Sequence, residues 1–144
     1  MSEKTVNKAS EIITGLAGQD NGYCTLALID EDGFPSASTV SIIKADGIKQ
    51  LTFGVSLDDN KARRVQACSR ASVCVNAGAY NITLVGTAEI LTDTASKEDL
   101  WQPWFSEIWA GGATDPDFCV LRFNTQRYNL WLGKEQVAGK LVSL

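Results

Sequence analysis

The stretch LTFGVSLDDNKARR carries the first side chains able to do chemistry. An apolar, alternating run ends at Val55 and Ser56, a short turn follows, and a helical pattern opens at Asn60 and Lys61. The free backbone N–H groups at a helix start, its partial positive charge and the Lys61 ammonium together could grip one phosphate. Ser56 and Asn60 add hydrogen-bond donors. The same spacing is also met by an ordinary capped helix with Lys61, Arg63 and Arg64 solvated, and Asp58 and Asp59 oppose an anion. A second stretch, Ser38-Thr39-Val40-Ser41, is unusually polar for mid-strand. Small polar residues on a barrel face let a flat ring lie against the backbone, and a solvated outer face has the same composition. Trp101, Trp104 and Trp109 read as core or as a subunit interface. Trp131, between Leu130 and Leu132, points to the opposite face from them, as a stacking platform or a sheet cover. The pairs Glu31/Asp32 and Asp58/Asp59 fall in turns and read as turn and cap residues.

Histidine is absent from the 144 residues. That removes Ser/His and Cys/His triads, the common zinc sites and the usual axial ligand of haem. Chemistry must then come from a bound cofactor, carboxylates or a lysine; no catalytic residue and no metal site is assigned. Cys24, Cys68, Cys74 and Cys119 form no C-x-x-C pair and read as reduced, mostly buried thiols of a cytoplasmic protein, with a structural disulfide as the minor alternative. The N-terminus lacks a signal peptide's continuous apolar core, and no apolar run approaches the roughly 20 residues of a membrane span. A net charge of −4 argues against a nucleic-acid partner, because phosphate neutralisation needs clustered Lys and Arg.

These residues need a scaffold, and the chain supplies one domain's worth, read as residues 1–144 with 134–144 unassigned. Val6, Ala9, Ile12, Ile13 and Leu16 share a helical face over about 3–17, with Ser2 as N-cap and Gly18 as stop. From residue 22 the period becomes that of strands. GYCTLALID, PSASTVSIIK and IKQLTFGVS are joined by Asp32-Gly33 and Asp46-Gly47, a meander of antiparallel hairpins. SLDDNKARRVQACSR is helical, capped by Asp58 or Asp59. ASVCVNAG and NITLVGTAEILTD are strands, with Gly86 marking a bulge, a barrel corner or a close backbone approach. TASKEDLWQPWFSEIWAGG is a second helical region, capped by Asp93 or Thr94 and offset at Pro103. FCVLRFNTQRYNLWLG supplies a last hairpin. The expected fold is α+β and mostly β: a barrel of six to seven antiparallel strands with helices at its ends.

In order and spacing, GFPSASTVSI, LTFGVSLDDNKARRV, NITLVGTAEIL and KEDLWQPWFSEIWAGGATDPDFCVLRFNTQRYNLW resemble the pyridoxamine 5′-phosphate oxidase-like FMN-binding split barrels, in their general stress protein branch. The likeness runs from the first helix to Trp131. It implies a homodimer with FMN in grooves between subunits. Residues matching Thr39, Val40 and Ser41 would line the flavin ring with strand backbone, and Ser38 stands at a cofactor-binding position where the family's Arg helps hold the phosphate. Gly54, Val55 and Ser56 would contact ring and ribityl chain, Asn60 and Lys61 would grip the phosphate, and Asn81 and Trp131 would reach the flavin from the partner subunit. Family members usually carry Arg at the Ser38 position and Thr at the Val55 position; Lys44 and Arg63 are candidate substitutes for that charge. The C-terminal Arg and His residues that grip substrate in true pyridoxamine phosphate oxidases have no counterpart, so vitamin B6 oxidation is not expected. The resemblance implies a flavin-dependent oxidoreductase or flavin reductase of undefined substrate, reduced by a nicotinamide donor. The alternatives are a non-catalytic FMN storage or sensing module, and a flavin-free dimeric interaction protein of the same fold.

Overall fold

The computed structural model describes residues 2–141. Alternation of apolar and polar residues puts Cys24, Leu26 and Leu28 of β1 (Tyr23–Ile29) on one buried face. The Asp30 carboxylate accepts from the backbone N–H of Asp32 and of Phe34, both at 3.0 Å, and Gly33 takes a φ of 84°. This turn delivers the chain into β2 (Pro35–Ser41), which pairs with β1 along its whole length. The strand expected over 35–44 breaks after Ser41. Ile42 and Ile43 are both buried, at 0% and 6% exposure, and consecutive residues of a regular strand cannot both face inward. The Ile42 N–H bonds to Gly22, and that of Ile43 to Thr52 across the opening, so this kink closes the barrel. A short β3 (Lys44–Asp46) then turns through Gly47 into β4 (Gln50–Ser56).

α2 (Asn60–Ala67) separates β4 from β5 (Arg70–Ala77), and β6 (Tyr80–Leu91) follows directly. Asp59 stands at the α2 N-cap position but its side chain makes no capping bond. The hairpin expected within residues 118–133 is instead one 15-residue strand, β7 (Phe118–Leu132). It runs unbroken through the polar stretch Asn124-Thr125-Gln126 to Leu132, and its hairpin partner is β8 (Glu135–Lys140), in the stretch left unassigned above. Residues 142–144 of that stretch lie outside the described residues.

The sheet therefore has eight strands in the order β2-β1-β5-β6-β7-β4-β3, with β8 on β7 and every pairing antiparallel. It curls into the expected split barrel, one strand richer than the expected upper count. The curl has a local cause. β7 pairs with β4 through Asn124 and with β8 from Arg127, and the register with β6 shifts between Val85 and Gly86. A Cβ at Gly86 would lie 2.0 Å from the Asn124 carbonyl oxygen, so only glycine lets the two backbones approach this closely. Thr125, fully buried at the corner, donates its hydroxyl to the Ile48 carbonyl at 2.6 Å.

α1 (Ser2–Leu16) begins at Ser2, which is therefore helical and not the cap. It buries Ala9 and Ile13 in the barrel core and stops at Gly18, whose φ is 78°. α3 (Thr94–Leu100) is capped by the Asp93 carboxylate on the Ser96 N–H at 3.0 Å. The tryptophan-rich segment is not a regular helix. Trp101 ends α3, Pro103 opens a 3-10 helix over Pro103–Glu107, and a second 3-10 turn covers Gly112–Thr114. Proline at 103 and the Gly111-Gly112 pair leave no room for a longer helix. The bulky rings pack as a second cluster of Ile43, Leu100, Phe105, Trp109, Phe118 and Val120, separate from the barrel core. Among the described residues no helix is long and apolar enough to cross a membrane.

Candidate functional site

The second cluster forms one wall of a groove of about 370 Å³. The ends of β2 and β4 make its floor, α2 closes one end, and Trp104, Phe105, Ile108 and Trp109 stand over it. Phe105 anchors that wall at 1% exposure, with ring centroids 4.6 Å from Trp104, 5.3 Å from Trp109 and 5.5 Å from Trp101. Facing it is Gly54, where a Cβ would come within 3.1 Å of the Phe105 ring. The Phe105 ring therefore packs directly on the Gly54 backbone, and the apolar surface left open to a ligand is that of Trp104 and Ile108, 49% and 57% exposed.

Ser56 and Lys61 mark the polar end. The Trp109 indole donates to the Ser56 hydroxyl oxygen at 3.0 Å, leaving the hydroxyl hydrogen to a ligand. Lys61 Nζ lies 3.6 Å from Asp59 Oδ2, longer than a charge-assisted hydrogen bond, so its donors are only partly engaged. The turn between them is tied down from outside. The Leu57 N–H donates to the Asp117 carbonyl at 2.6 Å, and the Asp58 N–H to the Asp117 carboxylate at 3.0 Å.

That loop rests on a buried cation. Lys97, 8% exposed, donates from Nζ to the Asp115 carbonyl at 2.9 Å and lies 5.8 Å above the Phe118 ring. The Asp117 and Gly111 N–H groups hold the Asp115 carboxyl below the usual carboxylate range. A carboxyl with a depressed folded-state pKa stabilises above its unfolded value, and the contribution is lost as pH falls through the folded one. Lys97, Asp115 and Asp117 escaped the sequence reading because nothing in TASKEDL distinguishes a buried lysine from a solvated one.

The groove gathers Val40, Ser41, Gly54, Val55, Ser56 and Lys61 of the residues singled out from the sequence. It adds Ile43, Asp59, Trp104, Phe105, Ile108 and Trp109. Asn60 is the first residue of α2 beside it. Ser38 is exposed on β2, two residues before Val40. Thr39, Asn81 and Trp131 lie elsewhere, on the outer face of the sheet, where Asn81 and Trp131 are cross-strand neighbours. Trp131 is 43% exposed while Leu130 is buried, as its position in the strand predicted. Neither proposed substitute charge reaches the groove: Lys44 pairs with Asp99 at 3.1 Å, and Arg63 bonds the Asp58 carbonyl at 2.7 Å. A cation that does touch β2 is Arg64, one turn after Lys61 on α2, which bonds Glu31 through two nitrogens and reaches Ser36 Oγ at 3.4 Å.

The cysteines are all free thiols. Burial pushes the Cys24 thiol up to about 12 and that of Cys119 up to about 11, whereas Arg70 holds the Cys68 thiol below its ordinary value. No group of metal-ligating side chains occurs among the described residues.

Residues 16–132 match the family described as pyridoxamine 5′-phosphate oxidase. No curated protein matches the chain. Among solved structures, a protein from Clostridium acetobutylicum related to general stress protein 26 of B. subtilis is 22% identical. The alignment covers 98% of this chain and 96% of that one, at a TM-score of 0.79. The general stress FMN/FAD binding protein of Xanthomonas citri is also 22% identical, over 94% of this chain and 96% of that one, at 0.67. A heme binding protein from Mycobacterium smegmatis is 22% identical over 92% of this chain and 57% of its own, at 0.67. At these identities the likeness is one of fold.

Proposed function

Since the chain belongs to the pyridoxamine 5′-phosphate oxidase family, we propose that it binds FMN in the groove between β2, β4, α2 and the aromatic turn. The observation that carries this is the groove's polarity. Exposed Trp104 and Ile108 along one wall suit a flat ring, and Ser56 and Lys61 at the polar end suit a phosphate. Val40 and Ser41 flank the ring, and Asn60 opens the helix whose start faces the phosphate. When bound, FMN supplies two-electron chemistry; the protein excludes water from the ring and holds the phosphate. The chain offers no histidine for haem, so the haem-binding relative is the weaker guide to its ligand.

Saturation at 100 times the dissociation constant should stabilise the protein by about 2.7 kcal/mol, read as a rise in melting temperature. An unmoved melting temperature would favour the flavin-free interaction protein. With FMN bound, anaerobic addition of reduced nicotinamide dinucleotide divides the remaining readings: loss of the flavin's visible absorbance identifies a reductase, and an unchanged spectrum a storage or sensing module.

The same proposal includes a homodimer. Across the outer face the row Thr39, Thr25, Cys74, Thr83 and Asn129 runs over five strands without a charge. Trp131, 43% exposed, and Asn81 adjoin its far end. Uncharged small residues beside an exposed tryptophan suit a packed subunit interface. A second copy seated there would carry Asn81 and Trp131 to its neighbour's groove. Thr83→Glu should therefore yield a monomer by light scattering and weaken FMN at least about tenfold, as expected when an unpaired charge is buried at an interface. A variant that stays dimeric with unchanged affinity would place the interface elsewhere.

A further inference from the structure

A second cavity, of about 460 Å³, adjoins the groove and shares Ser41, Ile43 and Trp104 with it. Small-molecule sites typically span about 300–1,000 Å³, so it has room for a ligand of its own. Its chemistry differs from that of the groove. Tyr23 and Trp104 line it and remain 52% and 49% exposed, so each has ring surface that no protein atom covers. Gln19 and Gln102 contribute amides, and Gln102 spends one donor on the Leu100 carbonyl at 3.3 Å, leaving its own carbonyl free to accept. Among its described lining residues Asp20 is the sole charged one, and no lysine or arginine offsets it.

We propose that this cavity binds a second ligand, a planar aromatic molecule that is neutral or singly cationic. Tyr23 and Trp104 provide stacking surface, Gln19 and Gln102 hydrogen-bond to substituents on its rim, and Asp20 excludes anions. Phosphorylated or carboxylated aromatics are selected against here, although the neighbouring groove is built to take a phosphate at Lys61. Any role for this ligand beside the flavin rests on the FMN reading, because the two cavities share Ser41, Ile43 and Trp104. The ligand class rests on the cavity's own walls.

The test uses three probes that share one ring system and differ in charge: 2-naphthamide, 2-naphthylmethylammonium and 2-naphthoate. Each is titrated by calorimetry into the full chain, with and without FMN. The amide and the ammonium should bind, and the naphthoate should bind at least about tenfold more weakly because of the Asp20 carboxylate. Tyr23→Ala and Trp104→Ala should each weaken the amide about tenfold, the size of a lost aromatic contact. Both side chains are half exposed, so circular dichroism should show both variants folded. Asp20→Lys should invert the order of the charged probes. Naphthoate binding as tightly as the amide, no probe binding, or amide binding indifferent to both aromatic substitutions would each overturn the site. FMN titration of the same preparations keeps the two readings apart. Amide binding without FMN binding contradicts the cofactor alone, and FMN binding without amide binding contradicts this cavity alone.

Discussion

Gly86→Val should unfold the barrel more than any other single substitution in the sheet. The new Cβ would meet the Asn124 carbonyl oxygen at 2.0 Å, the Asn124 carbonyl carbon at 3.0 Å and the Thr125 Cα at 3.0 Å. All of these are backbone atoms held by the β6–β7 ladder, so none can rotate aside. The loss should be about 4 kcal/mol, at the upper end for point substitutions, read as a lower urea midpoint. Gly78→Ala is the matched control. Nothing lies within 4 Å of a Cβ there, and the change should stay within about 0.5 kcal/mol. Equal midpoints for the Gly86 variant and wild type would mean that the β6–β7 corner is not closed as described.

Phe105→Ala should have an effect of similar size, and it joins stability to function. The ring sits against Trp101, Trp104, Trp109 and Phe118 at centroid distances of 4.6 to 5.6 Å. Truncation leaves a cavity at the centre of that cluster and should cost about 3–5 kcal/mol. Phe105→Leu keeps most of the apolar volume and should lose less stability. It should still weaken FMN, because Trp104 and Trp109, which line the groove, lose the ring they pack against. Full FMN affinity in the leucine variant would remove the aromatic turn from the site.

The strands were legible where alternation and turn residues agree. Asp32-Gly33 and Asp46-Gly47 each closed the expected hairpin, and Gly86 stood at the expected bulge. Legibility failed where tertiary contacts override local pattern. The run from Pro35 to Lys44 reads as one strand, yet burial of both Ile42 and Ile43 kinks it across the barrel opening. The run FCVLRFNTQRYNLWLG reads as a hairpin, yet it is one strand, and Asn124-Thr125-Gln126 at its middle is the point where β7 exchanges β4 for β8. In the site, Ser56 and Lys61 were visible as a helix-start pattern. The wall opposite them was not, because Trp104, Phe105 and Trp109 have the composition of an ordinary core. The Lys97 support was invisible for the converse reason, since a lysine in a short polar helix has the composition of a surface.

The central claim is that the groove takes a flavin by its phosphate, and comparing FMN with riboflavin tests it most directly, because the two ligands differ only in that group. Affinities are measured for both, on the wild-type protein and on Lys61→Ala. FMN should bind wild type at least about thirtyfold more tightly than riboflavin, corresponding to about 2 kcal/mol for a charge-assisted phosphate contact. Lys61→Ala should erase most of that difference and leave riboflavin unchanged. Equal affinities of the wild-type protein for the two ligands, or a preference for FMN that survives the loss of Lys61, would contradict the placement of the phosphate and with it the proposed site.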